Sequence, residues 1–219
     1  MSTGSNTASK SVAAQVRATG LVAIVRGNFS REQVINIAQV LLDNGVPIME
    51  VTLNTTSALE SISQLRSQFG DRMTIGAGTV RTVDQFQQAV AAGAQFTVAP
   101  NFDAATSAAA VAHDLLHLPG VFTPTEAQTA FVAGCRIVKL FPSELLGPRY
   151  IKAIRAPLDD IEIMPTGGIS AENIGEYVKA GIVGAGIGSA LVTGPNQDLN
   201  DLAKRAQALR QAWDTAVAK

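Results

Sequence analysis

Short apolar runs rich in β-branched residues alternate along this chain with longer amphipathic segments, at intervals of about one strand–helix unit. Eight such runs lie at 21–26, 48–53, 74–79, 96–100, 116–121, 137–142, 161–166 and 184–189. Runs so uniformly apolar suit strands covered on both faces, and therefore predict parallel βα units rather than hairpins. Helix boundaries fall where this needs them. Ser30-Arg-Glu-Gln33 and Ser170-Ala-Glu-Asn173 each offer a capping serine ahead of a helix. Ala92-Gly93, Ala133-Gly134, Ala180-Gly181 and Asn44-Gly45 each place a glycine where a helix must close before the next strand. Segment 7–18 predicts an extra helix over the barrel floor, and 199–216 a closing helix. The expected architecture is an α/β single-domain (β/α)₈ TIM barrel with an extra N-terminal helix, spanning residues 1–219 with 1–8 flexible. An open, doubly wound sheet is the alternative.

The bulk composition narrows the partners more than the fold. The 17 basic and 18 acidic side chains nearly cancel, and no long basic run would track a nucleic-acid backbone or an anionic membrane. The first ten residues lack the apolar core of a signal peptide, and no apolar run approaches the about 20 residues of a membrane span. A cytoplasmic protein with no nucleic-acid or membrane partner is expected. Cys135, the only cysteine, sits in the apolar stretch Phe131-Val-Ala-Gly-Cys-Arg-Ile-Val138 and reads as a buried structural thiol.

Charged residues inside doubly buried strands are expensive unless they serve a site at the C-terminal rim. The exceptions are Arg26, Glu50 and Lys139, with the smaller polar groups Thr79 and Thr166. Glu162 opens its strand at the opposite end, where a solvated role is expected. Lys139 lies within Ile137-Val-Lys-Leu-Phe-Pro142, where desolvation disfavours the ammonium and leaves a nucleophilic amine able to condense with a ketone. The other lysines, Lys10, Lys152, Lys179, Lys204 and Lys219, fall in expected helices or tails. Glu50, within Ile48-Met-Glu-Val51, would move protons beside such an imine. The plainer alternative for both residues is one structural Glu50–Lys139 ion pair.

Pro165-Thr-Gly-Gly-Ile-Ser170 and Gly184-Ala-Gly-Ile-Gly-Ser189 end the last two strands, the usual phosphate position in a barrel, where free backbone N–H groups can hold an anion. His113 and His117 have the i, i+4 spacing of a metal pair, but they straddle a helix end and a strand start and lack a carboxylate cluster, so no metal is expected. Trp213 and Tyr177 read as packing residues.

Over residues 21–191 the chain resembles the class I aldolases of 2-keto-3-deoxy-6-phosphogluconate and 2-keto-3-deoxy-6-phosphogalactonate. The likeness is carried by Ala23-Ile-Val-Arg26, Glu50-Val-Thr-Leu-Asn54, Ile75-Gly-Ala-Gly-Thr-Val80, Val98-Ala-Pro-Asn101, Leu118-Pro-Gly-Val121, Val138-Lys-Leu-Phe-Pro142 and Pro165-Thr-Gly-Gly-Ile169. It implies that Lys139 is the Schiff-base lysine, Glu50 the general acid/base, and Arg26 and Thr79 binders of the keto-acid end. It further implies Gly167, Gly168, Gly188 and Ser189 as the phosphate turns, Pro100 as a site wall that orients the reacting groups, and Thr166 as substrate-binding. The expected reaction yields pyruvate and glyceraldehyde 3-phosphate from the phosphorylated keto acid without metal or organic cofactor, in a homotrimer. Activity on 4-hydroxy-2-oxoglutarate, phosphosugar isomerisation or epimerisation, and non-catalytic phosphosugar sensing remain the alternatives. Asn54 replaces an arginine common in the gluconate type, whereas Thr166 matches that type and not the apolar residue of the galactonate type, so the epimer stays open.

Overall fold

A computed structural model describes residues 8–218 of the chain, so the expectation that 1–8 are flexible lies, but for Ala8, outside the described residues. Helix α1 (Ala8–Thr19) leads into strand β1 (Leu21–Val25), and strands and helices then alternate: α2 (Arg31–Asp43), β2 (Ile48–Thr52), α3 (Ala58–Phe69), β3 (Thr74–Gly78), α4 (Val83–Ala91), β4 (Phe96–Val98) and α5 (Ala104–Ala112). Next come β5 (Leu116–Leu118), β6 (Gly120–Val121), α6 (Pro124–Val132), β7 (Ile137–Leu140), α7 (Gly147–Arg155), β8 (Glu162–Pro165), α8 (Ile174–Lys179), β9 (Ala185–Ile187) and α9 (Leu199–Val217). Every expected strand is found, the helix expected over 7–18 is α1, and that over 199–216 is α9.

The result is an α/β fold with a curled parallel sheet in two pieces, one of six strands in the order β5-β4-β3-β2-β1-β9 and one of three in the order β6-β7-β8. The run expected as one strand at 116–121 is divided at Pro119, which has no N–H to give to a ladder. Its carbonyl still accepts from the Lys139 N–H at 2.8 Å. On the other side, a parallel bridge between Thr166 and Gly186 joins the β8 and β9 edges.

Two apolar clusters explain why the strands lack polar alternation. Leu21, Ala23 and Val25 face the helices, while Val22 faces inward with Ile48, Phe96, Val98, Leu116, Leu118, Ile137 and Met164. Val12, Ala13 and Val16 of α1 belong to that inner cluster, so α1 closes the N-terminal end of the curl. Glu162, expected to be solvated there, is instead fastened to Arg17 of α1 by two hydrogen bonds of 2.6 Å.

Ser30 caps α2 in a full capping box with Gln33. Ser170 does not cap α8, whose N-cap is Asn173. The Asn173 side chain accepts from the Ser170 N–H at 2.9 Å, and the Ser170 hydroxyl turns to Glu172. The closing glycines Gly45, Gly93, Gly134 and Gly181 all have positive φ, as their position demands. Trp213 and Tyr177 are buried packing residues, the Trp213 ring lying directly against Gly20. Cys135 is buried, which pushes its thiol pKa up.

His113 and His117 serve different neighbours: His113 Nδ1 lies 2.9 Å from the Ala109 carbonyl oxygen, whereas His117 Nδ1 shares a 2.9 Å hydrogen bond with the Thr97 hydroxyl. Burial lowers the His117 pKa from 6.5 to about 4, against the weaker opposing pull of Asp103. The unfolded chain takes up this proton near pH 6.5 and the folded chain refuses it until about pH 4. Stability is therefore whole above 6.5 and is lost on acidification through that window, by up to roughly 3 kcal/mol. Urea unfolding of wild type and His117→Gln at pH 7.5 and 4.5 checks this. The acid loss should shrink in the variant, and an equal loss in both would reject the assignment to His117.

Candidate active site

Side chains two residues apart along a strand share a face. Ile48 and Ile137 are part of the inward apolar floor, so Glu50 and Lys139, each two residues on, stand one layer above it, on β2 and β7. Both are almost fully buried, at 1% and 2% exposure. Lys10, Lys152, Lys179 and Lys204 are exposed, and Lys219 lies outside the described residues.

The two side chains do not meet at ion-pair distance, although each feels the other's charge. Glu50 Oε1 has no hydrogen-bond partner, and Lys139 Nζ lies 4.8 Å from the centre of the Phe141 ring. Burial raises the Glu50 pKa, opposed by the charges of Lys139 and Arg26. Burial lowers the Lys139 pKa, opposed by Glu50 and reinforced by Arg26. Each shift runs toward the uncharged form, the direction that suits an amine meant to attack a carbonyl beside a carboxyl meant to carry protons.

Glycines make room for these groups. A Cβ on Gly78 would lie 2.5 Å from Glu50 Oε1, and one on Gly186 would collide with the Thr166 hydroxyl. Thr166 Oγ1 is itself buried without a partner, as is Ser143 Oγ. Both oxygens are free to bond a ligand or water at this end of the fold.

A cavity of about 630 Å³ opens at the C-terminal ends of β1, β7, β8 and β9. Arg26, Thr166, Gly167, Gly168, Gly188 and Ser189 line it, together with Ile24, Phe141 and Glu144. Six of the ten expected site residues thus meet in one space. Glu50 and Lys139 do not form its wall, but strand neighbours of both do: Ile24 pairs with Glu50, and Phe141 follows Lys139 by two residues. Thr79 and Pro100 lie away from that cavity, on the β3 and β4 side of the rim. Thr79 carries a positive φ of 60°, a strained setting for a β-branched residue of the kind found at functional sites.

The two glycine-rich ends have the conformation an anion needs. Gly167 and Gly168 have φ of 99° and 72°, which only glycine adopts freely. After β9, the Leu191 and Val192 N–H groups close a turn on the Gly188 carbonyl, and the N–H groups of Gly168, Ser189 and Ala190 find no acceptor among the described residues. Arg205 of α9 holds the segment beyond by donating to the Leu191 carbonyl at 2.9 Å and to Gln197 at 2.8 Å. Glu144, Ser143 and Phe141 are not among the site residues expected from the sequence, although Phe141 stands in the Val138-Lys-Leu-Phe-Pro142 motif. They follow β7 at the rim, a position that could have drawn attention to them, but in sequence they look like an ordinary strand-to-helix connection. Among the described residues no group of three or more His, Cys, Asp or Glu converges as a metal site would require.

The profile of the KDPG and KHG aldolase family matches residues 12–207. The chain is 37% identical over 198 residues to the 2-dehydro-3-deoxy-6-phosphogalactonate aldolase of Escherichia coli (strain K12), covering 90% of this chain and 96% of the relative. It is 41% identical over 148 residues to the 2-dehydro-3-deoxy-phosphogluconate aldolase of Treponema pallidum (strain Nichols), covering 67% and 70%. It also superposes on the crystal structure of a KDPG aldolase from Legionella pneumophila with pyruvate captured at low pH as a covalent carbinolamine, with a TM-score of 0.80, 28% identity and coverage of 93% and 97%.

Proposed function

Because the chain belongs to the KDPG and KHG aldolase family, we propose that it cleaves 2-keto-3-deoxy-6-phosphogluconate or its galactonate epimer to pyruvate and glyceraldehyde 3-phosphate, with Lys139 as the Schiff-base residue. It is a carbon–carbon lyase of the Schiff-base class. The observation that carries the assignment to Lys139 is a buried amine, with its pKa lowered by burial and no ion-pair partner at contact distance, one layer above the apolar floor and beside Glu50.

The Lys139 amine adds to C2 of the keto acid, and loss of water gives the protonated imine. Glu50, as carboxylate, takes the C4 hydroxyl proton directly or through water while the C3–C4 pair of electrons flows into the imine, releasing glyceraldehyde 3-phosphate. The resulting enamine is protonated at C3, and hydrolysis frees pyruvate and the lysine. Arg26 and Thr79 hold the keto-acid end, and Pro100 walls the site. Gly167, Gly168, Gly188 and Ser189 take the phosphate, and Thr166 faces the sugar hydroxyls with its free oxygen. The phosphate turns favour these substrates over 4-hydroxy-2-oxoglutarate, which brings no phosphate to them.

The reading includes a closed (β/α)₈ barrel in one domain over 1–219, counting β5 and β6 as one interrupted strand. The Thr166–Gly186 bridge supports closure. A homotrimer in the cytoplasm rests on the family resemblance, and sedimentation equilibrium tests the trimer. No helix among the described residues is long and apolar enough to cross a membrane.

Incubation with pyruvate and borohydride, followed by intact and peptide mass spectrometry, tests the chemistry. One reduced pyruvate on Lys139 is expected. A folded protein without an adduct would turn the assignment toward isomerase or sensor chemistry.

A further inference from the structure

The phosphate-binding end of the cavity contains an unexpected carboxylate. The short 3₁₀ turn Ser143–Leu145 that follows β7 places Glu144 against the anion turn: a Cβ built on Gly168 would lie 2.5 Å from Glu144 Cβ and 3.1 Å from its Oε2. Glu144 lines the cavity and takes part in no side-chain hydrogen bond or ion pair among the described residues. Among the described residues, Arg26 is the only lysine or arginine that lines the same cavity. The anion site is thus built from neutral backbone N–H groups with an acidic side chain packed beside Gly168.

We propose that Glu144 is a specificity-determining residue that weakens the site's hold on the phosphate, so that the phosphorylated product leaves and inorganic phosphate does not block the site. The proposal rests on the aldolase reading for its substrate but not for its ligand chemistry. A phosphate on Gly168 and Ser189 lies within a few ångströms of a like charge that has no partner to neutralise it. Repulsion of that kind, between the bulk-water and near-surface limits of Coulomb's law, corresponds to about a tenfold change in affinity. Because Glu144 is exposed, salt should screen it.

The test is Glu144→Gln, with Glu144→Asp to retain the charge. Inorganic phosphate binding is followed by ³¹P NMR titration, and KM by pyruvate release from the phosphorylated keto acid. Glu144→Gln should lower both the phosphate dissociation constant and KM about tenfold, with the difference shrinking in about 1 M salt. Glu144→Asp should stay near wild type, and the pyruvate concentration that half-traps Lys139 under borohydride should not follow the shift. Unchanged or weaker phosphate binding in Glu144→Gln overturns the proposal, as does a gain that salt leaves undiminished. If pyruvate fails to trap Lys139 in wild type, the aldolase reading falls while the phosphate titration still decides the role of Glu144.

Discussion

Replacing Lys139 by arginine is expected to abolish carbon–carbon cleavage, by about 10⁴-fold or more, together with every trace of borohydride-trapped pyruvate. Arginine keeps a cation in the site but has no neutral form available in a protein and so no lone pair to attack C2. The same property creates a folding hazard. Lysine in this pocket is driven toward its neutral form by burial, an escape closed to arginine, whose charge would stay among apolar neighbours. Lys139→Met therefore accompanies it: the side chain is of similar length and apolar, and it removes the buried ionisable group while leaving its space filled. The methionine variant should unfold at or above the wild-type temperature and be equally inactive. Measurement is by pyruvate release coupled to NADH oxidation, with peptide mass spectrometry. Cleavage above about one per cent of wild type in a folded Lys139→Met protein would refute Schiff-base formation at this residue.

Lys139 and Glu50 were legible in the sequence because a strand buried on both faces does not tolerate charge without a purpose, so two charged residues in apolar runs stand out. The glycine turns were legible because the backbone at Gly167 and Gly168 needs φ that other residues resist. The alternation of strands and helices and their order along the chain followed from periodicity. What escaped were features set by contact across the fold. Pro119 divides the run at 116–121 into two short strands, while its carbonyl still accepts from the Lys139 N–H across the fold. Ser170 prefers the Glu172 carboxylate to the helix end that local sequence offered it. Glu162 looked solvated because nothing local to its strand announces Arg17, 145 residues away. Glu144 is the same case in the site: a charged residue in a connection is ordinary until the turn after β8 is brought against it. Neither Glu50 nor Thr166 betrays in sequence that a glycine on the adjacent strand makes room for it, since the pairing of Gly78 and Gly186 with those side chains is a matter of register and not of chain order.

Glu50→Gln should separate catalysis from stability in opposite directions. Glutamine retains the shape and much of the hydrogen-bonding capacity of the carboxyl but cannot exchange a proton, so cleavage should slow by roughly 10²–10⁴-fold, the range of general acid–base catalysis. Imine formation depends on the Lys139 amine, so borohydride should still trap pyruvate, at a reduced rate. With Glu50 as the base of the proposed mechanism, the step that breaks C3–C4 needs it ionised, and burial raises its pKa above the ordinary value of 4.5. The acid limb of kcat/KM for cleavage should therefore lie above the usual carboxylate range in wild type and be absent from the variant. Stability follows the other sign. A raised pKa means that folding opposes ionisation, so the wild-type protein gives up stability as pH rises past 4.5, while the neutral amide has no such loss. At pH 8 the variant should unfold no earlier than wild type and by this argument somewhat later, as expected where an unpaired buried acid is held in place for chemistry at the expense of the fold. Normal turnover in Glu50→Gln would make the carboxyl a structural group. An early-unfolding variant would mean that the carboxylate makes a stabilising contact in the folded chain, contrary to its unpartnered Oε1.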